Sequence, residues 1–199
     1  IYNLFLNIST AGIPVAIAMI ISEYLALNMY DAKERAYKIG KKIIAFLAIL
    51  SFLIVFFGSE YIARFIISDV TGGNSIEDIS YVIKSVSFCL IIIPFLSVLR
   101  GYMQGHKFIT PTSYSQLIEQ IVRIIVVLLG SFTVIKILNK SVISGVGISL
   151  LGAFFGGLIA YIYLQIKVKN NNKEFPVSDK RDPVSNKSIV KKILSYCIP

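Results

Sequence analysis

The segment from residue 111 to 135 carries the side chains whose types and spacing favour a binding site. Five polar residues recur there at intervals of one to four positions: Thr112, Gln116, Glu119, Gln120 and Arg123. On a helix they form one polar stripe, in which Glu119 and Arg123 are an i,i+4 ion pair in the favourable order. Arg123 would lie ~18 Å beyond the helix start. At that depth the pair either lines a wet cavity for substrate or ion, or braces the bundle as an internally neutralised pair.

Four further positions outside this stripe complete the set of candidate residues. Arg100 ends a long apolar run, where it either faces the opening of a cavity or extends to lipid phosphate. Gly12 with Pro14, and separately Pro94, interrupt apolar runs and predict hinges, because proline removes a helical hydrogen bond. For Gly12 and Pro14 the alternative is a helix kink of the kind that membranes tolerate.

Motifs of covalent and metal chemistry are absent from the sequence. There is no HExxH, no Walker A and no GxSxG motif, and the acidic residues show no metal-ligand spacing. The only histidine is His106, and the cysteines Cys89 and Cys197 fit neither a metal site nor a disulfide framework. We expect a protein that is not an enzyme and needs neither metal nor cofactor. Without an ATP site, any transport would use an ion gradient or the membrane potential, or run downhill.

The elements that must position these residues are expected to be membrane helices. Of 199 residues, 55% are hydrophobic and 16% are charged, and the mean hydropathy is +0.74. A soluble domain would carry more charge, and a disordered chain would have fewer Ile, Leu, Val and Phe residues. Five apolar segments are long enough to span a bilayer as helices, at about residues 2–27, 43–67, 79–102, 111–135 and 142–166. The sequence therefore predicts an all-α, polytopic membrane helix bundle.

The charge distribution predicts the orientation of that bundle. Alternate loops place 15 Lys and Arg residues on one side of the membrane and 3 on the other. Because basic loops favour the cytoplasm, the tail after the fifth segment is expected to be cytoplasmic, and nucleic acid is not the expected partner of the +9 net charge. Residues 167–187 are a polar, proline-containing linker, and residues 188–199 begin a further helix. This orientation also leads us to expect at least one helix before residue 1.

The fifth segment, 142–166, has a face of small residues. Gly145, Ser149, Gly152, Ala153, Gly156, Gly157 and Ala160 recur at short intervals along it. Small residues allow two helix backbones to approach closely in a membrane. We expect this face to pack against a neighbouring helix.

Two stretches of the sequence resemble a known family. The first is Ser9–Ile17 followed by Ile21–Glu23, and the second is Arg100–Gly105 followed by Thr110–Thr112, Ser115–Gln116 and Ile118–Arg123. Together they resemble the polysaccharide-biosynthesis and lipid II flippase branch of the multidrug/oligosaccharidyl-lipid/polysaccharide exporter superfamily, with the stage V sporulation protein B group as the most similar type. The resemblance extends over essentially the whole chain.

That resemblance implies two six-helix lobes around a central cavity, of which this chain would be helices two to six, the linker and the start of helix seven. It implies a flippase in the bacterial inner membrane that moves a lipid-linked oligosaccharide or peptidoglycan precursor by alternating access. The partners would be the lipid-linked sugar, membrane lipids and the second lobe of the same protein. Two alternatives remain: a drug/cation antiporter of the same superfamily, with Glu119 as the ion site, and a non-transporting scaffold of a cell-wall synthase.

Overall fold

The computed structural model describes residues 13–67, 75–171, 175 and 182–197. Within these ranges the regular elements are all helical, which confirms the prediction of an all-α protein. The α-helices are α1 (Ile13–Ala26), α2 (Tyr30–Phe57), α3 (Ser59–Ile67), α4 (Ile76–Ser87), α5 (Cys89–Gly105), α6 (Ile109–Ile125), α7 (Val142–Asn170) and α8 (Asn186–Cys197). Two π-helical turns, Val126–Gly130 and Thr133–Ile137, follow α6.

Among the described residues, four stretches of helix are long and apolar enough to cross a membrane. They are Tyr30–Phe57, Ile76–Gly105, Ile109–Ile137 and Val142–Asn170. A shorter apolar helix covers Pro14–Ala26, and the earlier part of the first predicted segment lies outside the described residues. These lengths and compositions agree with a polytopic membrane bundle.

Helix α2 extends well before residue 43, where the second apolar segment was predicted to begin. Its first turn contains Asp31, which pairs with Arg35 one turn later at 2.9 Å between Oδ2 and Nε. Such a pair supports a helix start, because the carboxylate lies near the positive end of the helix dipole. Basic residues predicted for a loop, including Lys33 and Lys38, therefore lie on a helix.

Helix α6 changes to π-helical geometry after Ile125 without leaving the apolar span. The hydroxyl of Thr133 donates to the carbonyl of Leu129 at 2.7 Å, and the hydroxyl of Ser131 donates to the carbonyl of Val127. Hydroxyls that bond the preceding turn compete with the regular backbone ladder. This accounts for helix widening at a Ser and a Thr in an otherwise apolar stretch.

The chain divides into two compact units. The first unit comprises residues 1–46, 94–116 and 160–199. Its core brings together apolar residues from α1, α5, α7 and the linker, including Ile17, Leu99, Met103, Leu164 and Phe175. α1 and α5 approach closely at two glycines of α5. A Cβ added at Gly101 would lie 2.5 Å from the Pro14 carbonyl oxygen, and one at Gly105 would lie 2.7 Å from the Ile21 Cβ.

The second unit comprises residues 47–93 and 117–159. Aromatic rings from α2, α4–α5 and α7 pack in it through Phe88, whose centroid lies 5.6 Å from Phe52 and 6.3 Å from Phe154. α3 packs against α4, where the hydroxyl of Ser80 donates to that of Ser59 at 3.1 Å. The small-residue face of α7 meets α6 here, as the next section describes.

Candidate functional site

The polar stripe of helix α6 has one buried edge and one exposed edge. Thr112, Ser115 and Glu119 are buried, whereas Gln116 and Gln120 are exposed. The opposite face of the helix carries exposed apolar residues such as Leu117 and Ile121. A helix with a lipid-compatible face and a hydrogen-bonding face is suited to stand between lipid and a polar space.

Glu119 and Arg123 form the ion pair that their spacing predicts. Arg123 Nη2 donates to Glu119 Oε1 at 2.6 Å, and the side chains are 10% exposed for Glu119 and 34% for Arg123. Counted from Ile109, Arg123 lies ~21 Å along a helix that has apolar side chains on its other faces. The pair is therefore deep in the span and largely withdrawn from solvent.

The small-residue face of α7 produces that burial. A Cβ added at Gly156 would lie 2.5 Å from the carbonyl oxygen of Glu119, and one at Gly152 would lie 3.1 Å from the carbonyl oxygen of Arg123. The two glycines therefore bring the α7 backbone against the turn of α6 that bears the ion pair. Backbone contact of this kind is what small residues permit between membrane helices.

Arg123 retains hydrogen-bonding capacity beyond its carboxylate. Its Nε is buried and has no hydrogen-bond partner among the residues that the structure describes. A guanidinium has five N–H donors in a planar fork that fits carboxylate and phosphate oxygens. The site thus combines a neutralising carboxylate with a partly exposed guanidinium that can donate to an anionic or polyhydroxylated ligand.

Arg100 is held by residues of α6 within the first unit. Its Nε donates to the Ser115 hydroxyl at 2.9 Å, and that hydroxyl donates to the Thr112 carbonyl at 2.7 Å. The contacts of the described residues thus join Arg100 to Ser115, and Glu119 to Arg123. Ser115 did not figure among the sequence candidates, although its spacing of three from Thr112 places it on the same stripe.

The predicted hinges have different surroundings. Pro94 lies inside α5, and Pro14 lies in the first turn of α1, where its carbonyl faces Gly101. Gly12 lies outside the described residues. Bending at these positions stays a prediction.

A second polar cluster, which the sequence did not predict, lies at the start of α2. Lys33 is 0% exposed, and its Nζ lies 3.4 Å from Glu34 Oε1, which also accepts a hydrogen bond from the Tyr102 hydroxyl at 3.0 Å. His106 lies beside Tyr102, and burial lowers the pKa of its imidazole below the ordinary 6.5. The buried small residues Ala32, Ala36 and Gly40, spaced by four, are a pattern in the sequence that could have shown that this helix face is packed.

Comparison with known proteins places the chain in a family. All of it, residues 1–199, matches the family described as polysaccharide biosynthesis protein. It is 32% identical over 203 residues to the lipid II flippase MurJ of Bacillus subtilis, covering 100% of this chain and 37% of that protein.

Two further proteins of Bacillus subtilis are similar. The membrane protein YabM is 28% identical over 196 residues, covering 96% of this chain and 34% of YabM. Stage V sporulation protein B is 27% identical over 113 residues, covering 57% of this chain and 20% of that protein. No solved structure matches the chain significantly. The chain spans about a third or less of the length of these relatives. Since the family match includes every residue, this membrane protein belongs to the polysaccharide biosynthesis protein family.

Proposed function

We propose that this chain forms part of a flippase that moves a lipid-linked oligosaccharide or a peptidoglycan precursor across the bacterial inner membrane. The observation that carries the proposal is the Glu119–Arg123 pair, 2.6 Å apart and deep within an apolar span. An ionisable pair at such a depth is costly unless it borders a polar space. The 32% identity to a lipid II flippase supports the same reading.

The chemistry of a lipid-linked sugar explains why such a polar face is useful. Its head group carries hydroxyls and phosphate charge that hydrocarbon cannot solvate, whereas its lipid tail can stay in the bilayer. The amides of Gln116 and Gln120 are exposed and can exchange hydrogen bonds with sugar hydroxyls. The guanidinium of Arg123 is 34% exposed and can donate to phosphate oxygens. No covalent bond changes are needed, so the activity is transport and not catalysis.

Alternating access is the proposed mechanism, in which this bundle moves against a second lobe elsewhere in the protein. Helices bent at proline absorb such movements, because their backbone ladder is already interrupted. Among the described residues, Pro94 lies inside α5 and is where we expect bending, whereas Pro14, in the first turn of α1, stays a predicted hinge. In this scheme the polar face of α6 is open first to one side of the membrane and then to the other, and so is Arg100.

The proposed orientation places the start of α2 and the residues after α7 in the cytoplasm, following the bias of basic residues. With single cysteines at Lys38 or Lys180, we expect an impermeant thiol reagent to label both positions only after the cells are opened. A cysteine at Lys140, on the other side in this scheme, serves as the positive control in intact cells. Labelling of Lys38→Cys or Lys180→Cys in intact cells would show that the proposed orientation is wrong.

A flipping assay on the full-length protein tests the proposed function itself. Reconstituted in vesicles with a fluorescent lipid-linked sugar pyrophosphate, the protein should make the inner-leaflet probe accessible to an external reagent. Empty vesicles give the background rate. A protein that exports cationic drugs in exchange for ions moving down their gradient, and leaves the lipid in place, would be an antiporter. One that moves neither would point to a scaffold of a cell-wall synthase.

A further inference from the structure

A groove of about 470 Å³ lies in the first unit between the start of α2 and the start of α8. The residues that line it are Ile39 of α2 and, from α8, Asn186, Lys187, Val190 and Lys191. The lining thus combines two apolar side chains with two cationic ones. No carboxylate is among these lining residues.

The two helices that form the groove are held side by side by buried packing. Ile189 of α8 is 0% exposed in a cluster that it shares with α1 and the start of α2, and Ile39 and Val184 pack against the same cluster. Arg35 adds hydrogen bonds from Nη1 to the Val184 carbonyl at 2.7 Å and to Asn186 Oδ1 at 2.9 Å. The groove is therefore part of the packed fold of this unit.

A third lysine extends the positive charge of the groove along α2. Lys42 and Phe46 follow Ile39 by three and seven positions, which places them on the same face of the helix. Lys42, Lys187 and Lys191 are all exposed, and none of them makes an ion pair or a side-chain hydrogen bond with any residue that the structure describes. The positive end of the α8 dipole adds to their charge, because the first turn of α8 lines the groove.

The groove lies where α2 enters the apolar part of its membrane span. Lys42 is the last charged residue of α2, and residues 43–57 after it are uncharged. A lysine followed by an apolar span marks the depth of the lipid head groups. Phe46, one turn farther into the span, is 67% exposed and continues the same helix face as apolar surface. A fitting ligand therefore has an anionic group for the lysines and hydrocarbon for the face beyond them.

We propose that this groove is a binding site for an anionic phospholipid of the surrounding bilayer. Its phosphate lies among Lys42, Lys187 and Lys191, and an acyl chain follows α2 past Phe46. Each lysine near a membrane surface gains free energy from an anionic head group, and a soluble anion would leave the apolar part of the groove uncovered. The site goes beyond the proposed function, because this lipid is a bound component of the protein and not its transported substrate.

Photolabelling of the full-length protein in phosphatidylcholine vesicles tests the site. A trace of phosphatidylglycerol carries a photoreactive group near the start of one acyl chain. We expect it to label the peptides that contain Ile39–Phe46 and Lys187–Lys191 about tenfold more than the same probe built on phosphatidylcholine. High salt should reduce the difference, because it screens exposed charges. Equal labelling by the two lipids at low salt would overturn the proposal.

Two pairs of substitutions separate the groove from a diffuse surface charge. Lys187→Gln with Lys191→Gln should lower phosphatidylglycerol labelling of these peptides to the phosphatidylcholine level. The matched control is Lys41→Gln with Lys169→Gln, which removes two exposed lysines that do not line the groove and should keep the preference. All four positions are exposed, so thermal stability should stay that of the parent in both proteins. An equal loss of preference in both pairs would overturn the groove as the site.

Competition distinguishes this lipid from the transported substrate. An excess of unlabelled lipid-linked sugar pyrophosphate should leave phosphatidylglycerol labelling of the groove unchanged. Displacement of the label would assign the groove to the substrate and overturn the proposal. A parent that flips no lipid-linked sugar but keeps the phosphatidylglycerol preference would contradict the proposed function and support the lipid site.

Discussion

The double variant Glu119→Gln, Arg123→Gln should insert and fold like the parent and lose lipid flipping. Both charges are removed together, so neither partner is left as an unpaired ion in the interior. The amides keep moderate size and hydrogen-bonding capacity. Under the proposed function, transport fails because a substrate phosphate would no longer meet a guanidinium at this site. Membrane abundance, thermal stability and flipping rate are measured on the same preparations of full-length protein.

The single variants behave differently from the double variant. Glu119→Gln leaves the Arg123 guanidinium without its carboxylate, and because Arg123 is 34% exposed the cost should lie below the about 3–5 kcal/mol of a fully buried pair. A matched control is available in α3, where Arg64 Nη2 lies 2.6 Å from Glu60 Oε1 with the same i,i+4 spacing but with both side chains exposed. The variant Glu60→Gln, Arg64→Gln should keep both stability and flipping. A double variant at Glu119 and Arg123 that is stable and fully active would make that pair purely structural.

The variant Gly156→Ala should destabilise the protein by about 1–3 kcal/mol, the usual cost of an extra carbon in a filled interior. Its Cβ would lie 2.5 Å from the carbonyl oxygen of Glu119, a backbone atom that cannot rotate away. Alanine is intrinsically favoured over glycine inside a helix by up to about 1 kcal/mol. The sign of the effect therefore reports which influence is larger, and we expect the clash with α6 to exceed the gain in helix propensity.

A matched control adds the same single carbon elsewhere on α7. Val146 is exposed, so Val146→Leu should leave thermal stability nearly unchanged. Unfolding of parent, Gly156→Ala and Val146→Leu is followed in detergent by a thiol-reactive dye or intrinsic tyrosine fluorescence. A Gly156→Ala protein that is as stable as the parent, or more stable, would disprove the close contact between α6 and α7 at the ion pair.

The sequence by itself determined the class of the protein and its local ion pair. Apolar runs of bilayer length leave helices as the structure that satisfies backbone hydrogen bonds, so the all-α prediction needed no long-range information. The Glu119–Arg123 contact was equally predictable, because side chains four residues apart on a helix are neighbours whatever the rest of the fold does. The small-residue face of the segment 142–166 indicated close packing for a similar reason.

The tertiary structure decided which part of the protein each of these helix faces contacts. The sequence could not show that Gly156 lies against the Glu119 carbonyl, because periodicity identifies a face of a helix but not its partner. Nor could it show that Arg100 bonds to Ser115, which lies on a different helix.

The start of α2 is where local and long-range information differ most. Its lysines and arginine suggested a solvated loop, since charge usually marks exposed chain. In the structure Lys33 is fully buried, and Arg35 holds residues 182–186, about 150 positions away. The cap that starts α2 comes from Asp182, and no pattern near Tyr30 encodes it. Contacts between residues so distant in sequence exist only once the chain has folded, which is why the tertiary structure alone revealed them.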